Sequence, residues 1–162
     1  MKIAFLAAAL AFACAPVAHA QLSCSEVTDF VGYALDDFDN IAGDEIDDDV
    51  YSATQNFAGA SECAISYEFD SVYACIWVYQ SADEANAAYN AQSSALAPCL
   101  ASGWKSETPD PGAADSGITP LRKVYFEGEG DNADLEWTVL MEEHQDNNVH
   151  DWHVWVSLAY LW

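Results

Sequence analysis

The densest run of reactive side chains is Glu142-Glu143-His144-Gln145-Asp146-Asn147-Asn148-Val149-His150-Asp151-Trp152-His153. Imidazoles mixed with carboxylates at such short spacing are the usual donors of a zinc or copper site. They are also the groups from which acid–base catalysis is built. Whether they converge depends on the element that carries them. Residues 134–143 and 149–161 read as strands, with Asp146-Asn147 as the tight turn between them. That register sets Gln145 opposite Asn148, His144 opposite Val149 and Glu143 opposite His150. Met141 then faces Trp152, and Leu140 faces His153. Side chains alternate between faces along a strand, so His150 points away from His144 and His153. His144 and His153 share a face but stand about 13 Å apart at strand rise. The expectation is therefore no metal site, no cofactor, and a Glu143–His150 pair across the strands.

The face that carries His153 also carries Asp151, Trp155, Ser157, Ala159 and Leu161. Leu140 and Glu142 join it from the neighbouring strand. Leu140, Glu142, Asp151, His153 and Trp155 are thus the candidate binding residues, an aromatic with polar neighbours on a sheet. They are accessible if helices cover only the other side of the sheet, and buried if a second layer packs here. The opposite face reads Trp152, Val154, Val156, Leu158, Tyr160 and Trp162. This alternation to a terminal aromatic resembles the last strand of bacterial outer-membrane barrels, which need eight or more strands. A count of five strands, two capped helices and four cysteines favours an ordinary core strand instead.

Other catalytic patterns are absent. There is no G-x-S-x-G elbow and no H-E-x-x-H. The cysteines lack a CxxC spacing, which removes the support for zinc or thioredoxin-like chemistry. Carboxylates are too numerous to single out a pair: 27 Asp and Glu oppose 4 Lys and Arg in 162 residues, a net charge of −23. Such a surface is the wrong sign for nucleic acid and for anionic lipid. With 52% hydrophobic and 13% aromatic residues the chain can still build a core, so the charge does not imply disorder.

Met1-Lys2, the apolar run 3–13 and Ala18-His19-Ala20 have the layout of a secretory leader over residues 1–20. A lipoprotein reading at Cys14 is poorer, because Ala11-Phe12-Ala13 lacks the usual Leu. No later segment is long and apolar enough for a membrane-spanning helix. Residues 21–162 are then one domain, periplasmic or secreted. Cys24, Cys63, Cys75 and Cys99 remain as an even set for two disulfides in an oxidising compartment.

Ser23–Glu26 and Ser81–Glu84 both fit a capping box. The first opens a helix over 24–41, with Val27, Phe30, Val31, Ala34, Phe38 and Ile41 in one stripe and Gly43 as its stop. The second opens a helix that ends near Gly103. Between them, 63–69 and 72–80 alternate as a hairpin around Asp70-Ser71. Residues 36–49 are dense in acids without calcium-loop spacing, and read as a solvated loop or a loose cation site. Residues 50–60 carry no clear signal. The stretch 102–120, rich in Pro and Gly, reads as a mobile connection. Strands at 121–127, 134–143 and 149–161 complete an α-β-β-α-β-β-β order, an α+β domain with an antiparallel sheet of five strands and two helices. On the hairpin register Cys63 and Cys75 face opposite sides. The length of the second helix brings Cys99 back beside Cys75. The expected bridges are therefore Cys75–Cys99 and Cys24–Cys63.

The charge admits three readings: adaptation to a saline medium, attraction of a basic protein or peptide, or loose divalent binding on 36–49. The first is preferred for the charge itself. The functional expectation is an exported, acidic, disulfide-stabilised binding or inhibitor/immunity-type domain without catalysis. The alternative is a small carboxylate/His-dependent hydrolase of the cell envelope.

Overall fold

The computed structural model describes residues 22–100, 102–146 and 149–161; the expected leader lies outside them. Helix α1, Cys24–Ala34, starts at the capping box read from the sequence. The Glu26 N–H donates to the Ser23 hydroxyl, and the Ser23 N–H donates back to the Glu26 carboxylate at 2.8 Å. The helix ends sooner than its apolar stripe suggested. Asp37 and Phe38 take left-handed φ values of 52° and 57°, which turns the chain. Phe38 and Ile41 are still buried, so the turn delivers the end of the stripe to the core without a helix.

The acid-rich stretch then forms a hairpin of β1, Ala42–Asp47, and β2, Val50–Ala53. Its exposed carboxylates line the outermost strand of the sheet, where charge discourages pairing with another chain. Gly43 does not stop a helix. It sits inside β1, where a Cβ would come 2.9 Å from the Ser52 carbonyl oxygen.

Strands β3, Glu62–Ser66, and β4, Ser71–Tyr79, form the expected hairpin with a different register. Cys63 lies opposite Cys75, and Ser66 opposite Val72. The turn thus spans 67–70 rather than Asp70-Ser71. This odd-numbered shift flips the relative facing of the two strands. Cys63, Ile65, Tyr73, Cys75 and Trp77 all become buried on one side, while Phe69 in the turn is exposed.

Helix α2, Ala82–Cys99, is capped by Ser81 and ends at Leu100, before Gly103. The segment expected to be a mobile connection holds β5, Trp104–Glu107, paired with β6, Ile118–Gly128. A 3-10 turn at Gly130–Asn132 leads to β7, Leu135–Asp146, and β8, Val149–Tyr160. The result is one α+β domain with two helices and an eight-stranded antiparallel sheet in the order β1-β2-β3-β4-β8-β7-β6-β5. The expected five strands were an undercount. The missed β1, β2 and β5 are short and lack the buried–exposed alternation by which a strand is read.

Both helices pack on one face. Phe30 of α1 meets Tyr73 at 4.6 Å between ring centroids, and α2 lies over β4, β7 and β8. Beneath them are Trp137, Val139 and Met141 of β7 and Val154, Val156 and Leu158 of β8, all fully buried. The sheet therefore fails the outer-membrane resemblance on closure and facing rather than on strand count. Its end strands β1 and β5 do not pair with each other, and the apolar face of β8 meets helices.

The disulfides are Cys24–Cys99 and Cys63–Cys75, not Cys75–Cys99 and Cys24–Cys63. Register is the cause. Once Cys63 and Cys75 are directly opposed, with Cα atoms 4.1 Å apart, they satisfy each other. The remaining pair joins α1 to the end of α2. Peptide mapping without reduction should recover these two links. Cys24→Ala/Cys99→Ala opens a loop with a sequence separation of 75 and should lower unfolding free energy in urea by roughly 4 kcal/mol. A loss below about 1 kcal/mol would contradict this stapling role.

Candidate functional site

The β7–β8 ladder runs to Asp146↔Val149, two residues further along than the turn at Asp146-Asn147 would allow. An even shift keeps every side chain on its expected face but moves it along the partner strand. Glu142 now faces His153, His144 faces Asp151, and Leu140 faces Trp155. His144 and His153 are consequently diagonal neighbours. Their rings stack at 3.7 Å between centroids, in place of the expected separation of four residue steps.

The helix-free face thus gathers Leu140, Glu142, Asp151, His153 and Trp155, the residues singled out from the sequence, together with His144. The Trp155 Nε1–H donates to Glu142 Oε2 at 2.9 Å. His144 Nε2 lies 3.2 Å from the same oxygen, and His153 Nε2 lies 3.2 Å from Asp151 Oδ1. The four charged or chargeable side chains are only 15–23% exposed, so they shield one another although no helix among the described residues lies above them. On the opposite face His150 pairs with Glu143 at 2.5 Å, as alternation required, although diagonally rather than directly opposite.

Chemically, this is a pair of carboxylate–imidazole couples placed ring against ring. Glu142 Oε2 accepts from the Trp155 indole and also lies beside His144 Nε2, which ties Trp155 to the couple. His153 turns Nε2 to Asp151, while its Nδ1 is buried without a hydrogen-bond partner. Burial and the adjacent His144 push the His153 pKa down, against the opposing pull of Asp151 and Glu142. No group of three His, Cys, Asp or Glu among the described residues is arranged to hold a metal ion.

The sequence puts His144 and His153 on one face, as the structure does, but the expected register set them four residue steps apart along it. Alternation fixes a residue's side and leaves its position along the partner open by two. Asn147-Asn148 was as good a turn pair by composition as Asp146-Asn147, and choosing it would have brought the imidazoles together.

The lowered His153 pKa makes stability depend on pH. The folded state binds this proton less well than the unfolded chain. The stabilisation is therefore complete above the unfolded value of about 6.5 and is lost as pH falls through the folded value. Urea midpoints measured from pH 7.5 to 5 should fall more steeply for the native protein than for His153→Gln. Parallel curves would show that this imidazole is not penalised by folding.

Comparison with protein-family models, curated proteins and solved structures finds no match to this chain.

Proposed function

We propose that the chain is an exported, periplasmic or secreted binding domain of the inhibitor or immunity type. It takes a basic protein or peptide on the helix-free face of its sheet and performs no catalysis. The observation that carries this reading is the composition of that face. Leu140, Trp155 and Ile76 lie directly in register across β7, β8 and β4 and, with Ala74 further along opposite Ser157, make an apolar centre. Glu142 and Asp151 flank it at one end, with His144 and His153. A partner that brings aliphatic side chains and a few Lys or Arg would match both parts, and the −23 net charge would steer it. Disulfides fit an oxidising compartment, and among the described residues no helix is long and apolar enough to cross a membrane.

The hydrolase alternative draws on the same Glu142–His144 and Asp151–His153 couples. It is the weaker reading because the bases are occupied. Glu142 Oε2 faces two donors, and the free nitrogen of His153 is buried away from any water it would have to activate.

The test is calorimetry with a short amphipathic peptide that alternates Lys and Leu, alongside its Glu/Leu counterpart. The Lys peptide should bind and the Glu peptide should not, with affinity falling at least about tenfold between 0.05 and 0.5 M NaCl. Trp155→Ala should cost roughly 2 kcal/mol of binding. Affinity unmoved by Trp155→Ala and by Glu142→Gln/Asp151→Asn would reject this face. Hydrolysis of envelope glycan or peptide that is lost in Glu142→Gln would favour the alternative.

A further inference from the structure

Three cations lie among the described residues, and they are held differently. Lys105 is tied to Glu129 at 2.6 Å on the surface, and Lys123 lies 5.4 Å from the Tyr125 ring. Arg122 alone is turned to the helix side of the sheet. There its guanidinium sits 4.1 Å from the Tyr89 ring centroid, with no carboxylate partner among the described residues. A β-bulge puts it there. Pro120 pairs with Glu142, yet Arg122 pairs with Met141, so one extra residue is inserted at Leu121. Regular alternation would have left residue 122 on the open face with Pro120. The bulge moves it to the face of buried Met141, a local re-aiming for which bulges are commonly used.

The guanidinium is also held in place. Its Nη1 donates to Asn86 Oδ1 at 3.1 Å, and the Asn86 amide is oriented by donating from Nδ2 to the Ala82 carbonyl at 2.9 Å. Stacking on Tyr89 fixes the plane. Arg122 itself lines a groove of about 340 Å³ between α2 and the β5–β6 end of the sheet. Asn90, Ser93 and Ser94 line it from the helix, and Ser106 and Thr108 line it from the opposite wall. Val124 and Phe126 form an apolar floor, and among the described residues no acid lines it. In a chain so rich in carboxylates, a groove with one cation, several hydroxyls and no acid is a distinct chemical environment.

We propose that this groove is a binding site for a small hydroxylated carboxylate, the chemistry of a uronic-acid residue, free or at the end of an acidic glycan. The planar guanidinium receives the carboxylate through paired hydrogen bonds. Asn90 and the hydroxyls of Ser93, Ser106 and Thr108 exchange hydrogen bonds with the ring hydroxyls. The Ser93 hydroxyl donates to the Tyr89 carbonyl at 2.7 Å, which leaves its oxygen as an acceptor for a sugar O–H. Small side chains at Ser94 and Ala97 keep the entrance wide. The volume suits a single sugar ring. Distant acids do not forbid an anion here, because the screening length is about 8 Å at physiological salt while the Arg122 contact is direct.

Isothermal titration or amide chemical-shift mapping with glucuronate, glucose, acetate and glucose 6-phosphate tests the assignment. Glucuronate should saturate below about 20 mM, with glucose and acetate at least tenfold weaker. Its shifts should fall on Asn90, Ser93, Ser106 and Val124. Arg122→Gln should weaken binding at least about tenfold. Ala97→Phe, an exposed helix position, should block the groove without touching the guanidinium or the melting temperature, so it decides the matter if Arg122→Gln does not fold. The proposal is overturned by failure of glucuronate to saturate, by glucose binding equally well, or by unchanged affinity in a folded Arg122→Gln or in Ala97→Phe. Preference for the sugar phosphate would reject the carboxylate assignment.

Discussion

Tyr73, Cys75 and Trp77 on β4, Val154, Val156 and Leu158 on β8, and Trp137, Val139 and Met141 on β7 interleave beneath the two helices. Their burial fixes the phase of the whole sheet, because sliding one strand by a single residue would carry its apolar set out into water. Each such side chain is worth about 1.5–3 kcal/mol when buried. That is far more than the local preferences of turns. The face opposite this layer then holds whatever the intervening positions supply. On β7 and β8 these are Leu140, Glu142, His144, Asp151, His153 and Trp155, so the candidate site is a by-product of the same alternation that builds the core.

Legibility followed the strength of that alternation. The helix starts at Ser23 and Ser81 were readable because capping is local chemistry. The central strands were readable because Val, Ile, Trp and Tyr recur at every second position. The short peripheral strands β1, β2 and β5 were not, since none of them alternates between buried and exposed positions. Both hairpin registers were misread for one physical reason. The sequence shows which side chains share a strand face, but the exact turn residues are chosen by how opposed core side chains fit. At β3–β4 the fit is Cys63 against Cys75, and it corrects both disulfides. At β7–β8 it is Met141 against Val154, and it brings His144 to His153. The bulge at Leu121 had no sequence signal of its own, so the helix-side position of Arg122 was not legible.

The charge distribution divides the surface by role. Carboxylates crowd the β1–β2 edge, where they guard an unpaired strand. A smaller set at Glu142 and Asp151 is partly buried and paired with imidazoles. The proposed basic partner and the proposed uronate would meet opposite faces of the sheet. The two sites are therefore separable by substitution, and neither depends on the other being occupied.

The β7–β8 register decides whether the candidate site exists. Cross-strand NOEs between backbone protons on a labelled sample measure it directly. The structure predicts contacts that place Glu142 opposite His153 and Leu140 opposite Trp155. Contacts placing Leu140 opposite His153 would return the imidazoles to separate positions and dissolve the candidate site.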